Sequence, residues 1–232
     1  MILIHDKSLR GHTQTGWLDS FHTFSFGGFN DPARIQFGNL RVINEDRVIP
    51  GAGFAPHRHE NMDILTYVLS GKLRHEDDQG TVSEISAGEV QLMSAGRGLE
   101  HSEWNASETE PAHFLQIWLI PNTGGGAPAY DKATVPETGT VRIAGPERAL
   151  LPLRSRTEVE LVRLSEGERL DIGAADKLSF VHLIDGLADA EGERVSAGDG
   201  LQLGRGEGTS LHFATDGAAL VFSMPSPKEH LQ

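Results

Sequence analysis

The sequence predicts an all-β fold built from two related barrels. Short runs of β-branched and apolar residues recur at intervals of roughly eight to twelve residues, a spacing typical of β-sandwiches and small barrels. Turn-forming residues separate the runs, and the chain contains 27 glycines and 11 prolines. No strong helical periodicity precedes residue 125. These observations favour strands joined by tight turns over a helical or mixed architecture.

The first half of the chain supplies most of the predicted strands. Aromatic and polar residues alternate through residues 17–29, as expected of a half-buried strand. The β-prone runs 40–43 and 48–49 flank the polar triplet 44–46, which is predicted to be a hairpin turn. The further strands predicted in this half are residues 64–69, 72–75, 82–85, 90–93 and 114–120.

A change in composition predicts the domain organisation. Residues 121–128 read PNTGGGAP and Pro136 follows, a pattern typical of a linker. We therefore predict an N-terminal domain of residues 1–121, a linker of residues 122–137 and a C-terminal domain of residues 138–232. The strands predicted beyond the linker are residues 159–164, 178–184, 201–203, 210–213 and 220–224.

An internal repeat relates the two halves. The sequence VLSGKL of residues 68–73 resembles LIDGLA of residues 183–188, and SAGEVQL of residues 86–92 resembles SAGDGLQL of residues 196–203. The repeat predicts two copies of one barrel.

Composition excludes several function classes. The net charge of −13 is spread along the chain and argues against a nucleic acid as a direct partner. The absence of cysteine excludes a disulfide framework and a thiolate metal site. The N-terminus turns polar after three apolar residues, and no window approaches the roughly 18 apolar residues of a membrane span. We expect a cytoplasmic protein without a membrane partner.

Two pairs of potential metal ligands dominate the first half: His57-x-His59 and His101-x-Glu103. Residues two apart on a strand face the same way, so two facing strands would direct all four side chains into one space. Three imidazoles and a carboxylate suit a divalent transition metal and leave positions open for water, substrate or dioxygen. Residues 165–175 of the second copy contain no histidine, so only the first copy is predicted to hold this site.

A ligating imidazole needs its second ring nitrogen fixed by an acceptor, and Asp63, Asn105 and Gln116 are candidates for that role. The remaining histidines show no paired ligand spacing. We interpret them as structural or surface residues, with His22 and His113 also candidates for a pocket wall. This group comprises His5, His12, His22, His75, His113, His182, His212 and His230.

Motifs around these residues resemble a known superfamily. The spacing of one set resembles the first motif of the cupin superfamily of small β-barrels: Gly51, His57, His59, Asp63 and Gly71. A second set resembles its second motif in part, because Ser94 replaces the proline and the gap from Gly96 to His101 is two residues longer: Gly88, Ser94, Gly96, His101 and Asn105.

Longer runs strongly resemble the pirin family between about residue 10 and residue 121. The runs are HTFSFGGFNDP, LRVINEDRVIPGAGFAPHRH, ILTYVLSG, MSAGRGLEHSEWN and HFLQIWLIP. Pirins are bicupins, with two cupin-type double-stranded β-helix barrels in tandem and a metal in the first. The resemblance implies that His57, His59, His101 and Glu103 are the ligands and that Asp63 is structural or supports a ligand. It favours iron as the divalent transition metal, with nickel, copper, manganese and zinc as alternatives.

The resemblance implies a quercetin-type 2,3-dioxygenase whose substrates are a flavonol and dioxygen. Glu103 would be the general base for the flavonol hydroxyl, and Phe54 would belong to an apolar pocket wall. A second hypothesis is a metal-binding regulator that acts through protein partners without turnover. A third, a cupin isomerase or a dioxygenase for another small molecule, uses the same ligands. The sequence leaves the three open.

Overall fold

The computed structural model describes residues 2–173 and 176–225, and this part of the chain is almost entirely β-structure. Contacts divide the chain into two compact units. The N-terminal unit comprises Gly11–Val135 and Leu153–Ser155, and the C-terminal unit comprises Met1–Arg10, Pro136–Pro152 and Arg156–Gln232. No helix in the described ranges is long and apolar enough to span a membrane.

Twenty-two strands and two short 3-10 helices, Lys7–Leu9 and Pro32–Arg34, form the described chain. The first twelve strands are β1 (Leu3–His5), β2 (Gly11–Gln14), β3 (Leu18–His22), β4 (Leu40–Val48), β5 (Gly53–His59), β6 (Asp63–Ser70), β7 (Lys72–Asp77), β8 (Val82–Ser86), β9 (Glu89–Ser94), β10 (Leu99–Asn105), β11 (Ala112–Leu119) and β12 (Ala129–Thr134). The others are β13 (Thr140–Gly145), β14 (Leu151–Pro152), β15 (Glu158–Leu164), β16 (Arg169–Ile172), β17 (Lys177–Asp185), β18 (Leu187–Ala190), β19 (Glu193–Ser196), β20 (Gly200–Leu203), β21 (Thr209–Phe213) and β22 (Gly217–Pro225).

The N-terminal unit pairs a seven-stranded antiparallel sheet, in the order β12-β9-β6-β11-β4-β3-β2, with a four-stranded sheet, β5-β10-β7-β8. One cluster of buried side chains joins the two sheets, with Val68 and Phe114 from the larger and Leu73 and Ile85 from the smaller. Burying one apolar face of each sheet against the other gives a barrel with a shared interior.

The C-terminal unit repeats this arrangement. Its seven-stranded sheet has the order β1-β20-β17-β22-β15-β13-β14, and its four-stranded sheet has the order β16-β21-β18-β19. Val181 and Leu201 of the larger sheet and Leu211 and Phe213 of the smaller belong to one buried cluster. The predicted all-β architecture of two related barrels is confirmed.

The turn glycines of the repeat occupy equivalent places in both barrels. Gly71 and Gly186 have φ of 72° and 88°, and each lies between a long strand of the large sheet and a strand of the small one. A Cβ on Gly71 would lie 2.5 Å from the carbonyl oxygen of Pro111, and one on Gly186 would lie 2.6 Å from that of Asp216. Only glycine fits a left-handed turn this close to another backbone segment.

The boundaries of the two contact-defined units differ from the domain boundaries predicted from composition. Residues 129–134, inside the predicted linker, form β12 and pair along their whole length with Glu89–Ser94 of β9. Residues 3–5 form β1 and pair with β20, so the first ten residues belong to the C-terminal unit. The end of the predicted C-terminal domain, residues 226–232, lies outside the described residues. The division into separate domains at residues 121 and 138 stays a prediction.

The hairpin turn predicted at residues 44–46 is wrong, because β4 runs unbroken from residue 40 to residue 48. Asn44 and Asp46 are buried, and their partners come from the neighbouring strand β3. His22 and Asn44 share a hydrogen bond of 2.9 Å, and Ser20 donates to Asp46. Polar residues that face such partners remain compatible with a buried strand. The strand predicted over residues 17–29 is likewise shorter, since β3 ends at His22.

Candidate metal centre

The two predicted ligand pairs lie on neighbouring strands of the small sheet. His57 and His59 are on β5, and His101 and Glu103 are on β10. The strands are antiparallel, and the register places His101 directly opposite His57. A register irregularity between His101 and Glu103 then displaces Glu103 along the strand, opposite Phe54 on β5 and His75 on β7.

The three imidazole rings converge at one point. Ring centroids are 4.8 Å apart for His57 and His59, 4.6 Å for His57 and His101, and 5.0 Å for His59 and His101. One nitrogen from each ring lies within 4.8 Å of the other two. His101 is buried, whereas the other two rings are half-buried. The cluster therefore has a closed side at His101 and a more open side at β5.

The form of these rings suits a metal. His57 Nδ1 is 2.8 Å from the carbonyl oxygen of Ala55 and donates to it, which leaves the lone pair on Nε2. His101 Nε2 is buried and has no hydrogen-bond partner among the described residues. Burial and the neighbouring His57 lower the pKa of His59 to about 4. Burial, followed by the other imidazoles, lowers the pKa of His101 to about 2. Neutral imidazoles with free lone pairs are the form that binds a divalent transition metal.

Glu103 is held by two glutamines. Gln91 Nε2 donates to Oε1 over 2.7 Å, and Gln116 Nε2 donates to Oε2 over 2.6 Å. Thr66 is a third side-chain hydrogen-bond partner of this carboxylate. Glu103 is 1% exposed, and this burial raises its pKa to about 7 despite the three hydrogen bonds. Two carboxylate oxygens have four acceptor positions, so one remains. Its carboxylate lies within 4.8 Å of ligand atoms of His75 and His101.

The orientation of both glutamine amides follows from their other partners. The indole N–H of Trp118 donates to Oε1 of Gln116 over 3.1 Å, and the hydroxyl of Tyr130 donates to Oε1 of Gln91 over 2.9 Å. With each amide oxygen occupied in this way, each NH₂ group faces Glu103. The carboxylate is therefore fixed by a network that spans β9, β11 and β12.

The residues expected to orient the imidazoles have other hydrogen-bond partners. Asp63 accepts from Ser94 and from the backbone N–H of Arg154. Asn105 donates to the carbonyl oxygens of Val48 and Glu110. Gln116 contacts Glu103, as described above. The acceptors beside the imidazoles are the carbonyl of Ala55 and the ring of His75.

His75 is the main residue of this centre that the sequence did not single out. It is 0% exposed, its Nδ1 is 3.4 Å from Nδ1 of His101, and the ring of Tyr130 stacks on it at a centroid distance of 4.6 Å. His75 and Asp77 are two apart on β7, a spacing that places them on one face. That spacing is the signal in the sequence that points to His75.

The aromatic residue beside the centre is Trp118, whose ring lies 4.9 Å from that of His59 and 5.5 Å from that of Phe26. Phe54, which was expected to line an apolar pocket, packs elsewhere. It packs against Trp17 at a centroid distance of 5.1 Å, beside the buried cluster that joins the sheets. In the strand register Phe54 is opposite Glu103, but its side chain packs with the cluster between the sheets.

Two other histidines have partners away from the three rings. His22 contacts Asn44 and Thr13, and His113 contacts Glu45. His230 lies outside the described residues.

The C-terminal barrel carries apolar residues on the corresponding strands. In its small sheet β16 and β21 occupy the places that β5 and β10 have in the first barrel. Leu170 and Ile172 on β16 and Leu211 and Phe213 on β21 belong to or pack against the buried cluster. Among the described residues, both groups of potential metal ligands lie in the N-terminal unit.

Two β-barrels in tandem, with a histidine-rich centre in the first, define a bicupin. Comparison with known proteins agrees: the family model described as Pirin matches residues 5–119, and the model described as Quercetinase C-terminal cupin domain matches residues 144–224. The chain belongs to the pirin family.

Relatives align over nearly the whole chain. The quercetin 2,3-dioxygenase of Escherichia coli K12 is 37% identical over 229 residues, which cover 97% of this chain and 99% of that protein. A pirin-like protein of Caulobacter vibrioides is 35% identical over 198 residues, which cover 82% and 85% of the two chains. The crystal structure of the bacterial pirin YhhW from Escherichia coli in complex with nickel(II) matches with a TM-score of 0.92 at 37% identity, covering 97% of this chain and 99% of that one.

Proposed function

We propose that this protein is a metal-dependent dioxygenase that acts on a flavonol such as quercetin. The observation that carries the proposal is the convergence of three imidazoles, one of which, His101, lies beside the buried carboxylate of Glu103, in a family whose relatives include a quercetin 2,3-dioxygenase. We assign His57, His59, His101 and Glu103 as the metal ligands.

The imidazoles support a site that is open on one side. His101 is enclosed, while His57 and His59 are half-buried and leave an approach for a small molecule. A divalent transition metal in this site would supply Lewis acidity and open coordination positions for a substrate oxygen and dioxygen. The protein's own contribution is to hold three nitrogen donors in a fixed arrangement that needs little reorganisation.

Glu103 is assigned a second role as general base. A carboxylate oxygen of Glu103 lies within 4.8 Å of a ring nitrogen of His101, and a carboxylate placed beside a bound hydroxyl can accept its proton. It would take the proton of the flavonol 3-hydroxyl as the substrate binds. Gln91 and Gln116 hold the carboxylate in place during that transfer.

Trp118 is assigned to orient the substrate. Its ring is partly exposed beside His59 and is fixed by the hydrogen bond to Gln116. A flat aromatic ring favours stacked or edge-to-face contact with a flat aromatic substrate. This wall is also adjacent to the open side of the centre.

The metal is identified by comparing the protein loaded with different divalent metals. Iron suits dioxygen chemistry, whereas YhhW was crystallised with nickel(II), and a site of nitrogen and oxygen donors accepts both. Metal content of the purified protein should be measured first. Protein stripped with a chelator should then be reloaded separately with iron(II), nickel(II), copper(II), manganese(II) or zinc(II).

Turnover is measured as loss of quercetin absorbance in air, with oxygen uptake followed in parallel. We expect activity with at least one metal, and we expect the variant His12→Ala to retain it, because that exposed ring lies against Asp19 and Phe21. A folded, fully loaded protein that consumes neither quercetin nor oxygen with any metal would contradict the proposal. That result would favour a metal-binding regulator acting through protein partners.

A further inference from the structure

The ring of His101 is held from behind by a chain of contacts that ends on Asp77. His101 Nδ1 lies 3.4 Å from His75 Nδ1, and His75 Nε2 lies 3.1 Å from Oδ2 of Asp77. All three side chains are almost fully enclosed. The pairing of β7 with β10 aligns them, because Asp77 is opposite His101 and His75 is opposite Glu103.

The chemistry of these groups determines where the protons lie. A carboxylate only accepts, so His75 must donate to Asp77 through its Nε2–H. A ring buried this deeply stays neutral, which leaves a lone pair on His75 Nδ1. His101 must then donate through its Nδ1–H, and its own lone pair is on Nε2. That nitrogen is the buried atom with no partner among the described residues.

We propose that Asp77 and His75 are positioning residues that set the tautomer and ring orientation of His101, so that its Nε2 lone pair faces the space shared with His57 and His59. The inference rests on the metal centre proposed above and adds two residues that bind neither metal nor substrate. Partners of this kind raise metal affinity because they remove the cost of orienting the ligand.

Strand β12 completes the support. The ring of Tyr130 lies 4.6 Å from that of His75 with an interplanar angle of 26°, so His75 is held between Tyr130 and His101. The hydroxyl of Tyr130 donates to Gln91, which in turn donates to Glu103. A single side chain therefore contacts the supporting groups of both residues that β10 contributes to the centre.

The variant Asp77→Asn tests the proton arrangement without changing shape. Oδ1 of Asp77 accepts the backbone N–H groups of Gln79 and Thr81, at 3.0 and 2.9 Å, so the asparagine oxygen must take that place. Its NH₂ group then faces His75 Nε2 as a donor. His75 has to present its lone pair there and its proton at Nδ1, so His101 becomes the Nε2–H tautomer. That tautomer cannot bind a metal through Nε2.

Two measurements follow this variant, and neither depends on activity. Nickel(II) affinity, measured by competition with a chelator, should fall by about 10- to 100-fold, as for loss of other outer partners of a ligand. Nitrogen-15 NMR of the chelator-stripped protein should show the ring proton of His101 on Nδ1 in the wild type and on Nε2 in Asp77→Asn. The matched control is Asp78→Asn, an exposed neighbour with the same charge change, which should alter neither quantity.

A double-variant comparison separates positioning from a general structural role. His75→Phe keeps a ring against Tyr130 but breaks the chain, so adding Asp77→Asn to it should have no further effect on nickel(II) affinity. If Asp77→Asn lowered nickel(II) affinity equally in the His75→Phe background, the proposal would be overturned, because the substitution would then act through charge or folding and not through His75.

Three other results would also overturn it. One is an Asp77→Asn variant that binds nickel(II) as tightly as the wild type and keeps the ring proton of His101 on Nδ1. Another is two nickel ions per wild-type chain with one lost in His75→Phe, since His75 would then be a ligand. The third is an Nε2–H tautomer of His101 in the stripped wild type. A wild type that binds no nickel(II) or other metal would refute the metal centre, yet the tautomer would still decide this inference.

Discussion

His101 lies directly opposite His57 in the register of β10 and β5, with the two rings 4.6 Å apart. One strand pair therefore supplies all three imidazoles, and the buried ring comes from β10. Since β10 also pairs with β7 on its other edge, it connects the three imidazoles to His75 and Asp77.

Replacing His101 with alanine should remove metal and turnover together. Only the two half-buried imidazoles of β5 and the carboxylate of Glu103 would remain, and we expect metal affinity to fall by more than about 100-fold, the upper end for loss of an outer partner. Metal content per chain and quercetin consumption are measured on the same preparation, with His12→Ala as the control. Stoichiometric metal in His101→Ala would show that this ligand assignment is wrong.

Trp118 should affect substrate binding and leave the metal in place. Trp118→Ala removes the aromatic wall beside His59, and loss of such a contact costs about 0.5–1.5 kcal/mol, which corresponds to a KM for quercetin that is higher by roughly two- to tenfold. Trp118→Phe keeps a ring but loses the indole N–H to Gln116, so its KM should rise less. Equal KM values for the alanine variant and the wild type would exclude contact with the substrate.

Asp46 should make the metal-free protein lose stability as the pH rises. Burial raises the pKa of Asp46 from 3.8 to about 7, so the folded state holds its proton more tightly than the unfolded state. The resulting stabilisation is complete below pH 3.8 and is lost as the pH rises through about 7. The lost free energy of unfolding is on the order of a few kcal/mol, given about 1.4 kcal/mol per pKa unit.

The variant Asp46→Asn isolates this effect from the histidines, whose lowered pKa values act in the opposite direction. An asparagine oxygen can still accept from Ser20. Urea unfolding of chelator-stripped protein between about pH 4 and pH 9 should show the wild type losing stability relative to Asp46→Asn, with a constant difference above about pH 8. Parallel stabilities across that range would contradict the assignment.

Residues 129–134 should exchange their amide hydrogens slowly. Those N–H groups of β12 that pair with β9 are protected in a sheet, whereas a flexible linker would exchange at close to the rate of an unfolded chain. Hydrogen exchange followed by mass spectrometry measures this directly, and residues 136–139 serve as an internal reference because they form no strand. Equally fast exchange in both segments would support the linker predicted from composition.

Gly71→Ala should destabilise the protein more than Gly80→Ala. Both positions have positive φ, 72° and 90°, and an alanine costs about 1–2 kcal/mol there. A Cβ on Gly71 would also lie 2.5 Å from the carbonyl oxygen of Pro111, whereas Gly80 has nothing within 4 Å. Urea unfolding of the two variants should show the difference, and equal losses would mean that the turn relaxes easily around the added methyl group.

The strands and the two pairs His57-x-His59 and His101-x-Glu103 could be recognised in the sequence because their signals are local. The alternation of apolar and polar residues indicates a strand, and each of the four candidate ligands, His57, His59, His101 and Glu103, has another of them two residues away. The positions of the predicted strands, from residues 64–69 to 220–224, all coincide with observed ones.

The features that the sequence did not predict depend on pairings between distant parts of the chain. Asp46 looked like part of a turn because its partner Ser20 is 26 residues away. His75 and His101 are also 26 residues apart and meet only once β7 and β10 are paired. Strand β12 contains Asp131 and Lys132 and has little apolar pattern, so nothing in its own sequence shows that β9 is its partner.

The apolar interior of the C-terminal barrel has a thermodynamic consequence. With Leu170, Ile172, Leu211 and Phe213 on the strands that correspond to β5 and β10, that barrel stays packed with no bound ligand. The N-terminal barrel has three imidazoles and the carboxylate of Glu103 in the same places, so a metal bound there would add to its stability by mass action. A chelator should therefore lower the melting temperature of the metal-loaded N-terminal barrel, and the size of that shift would report metal occupancy.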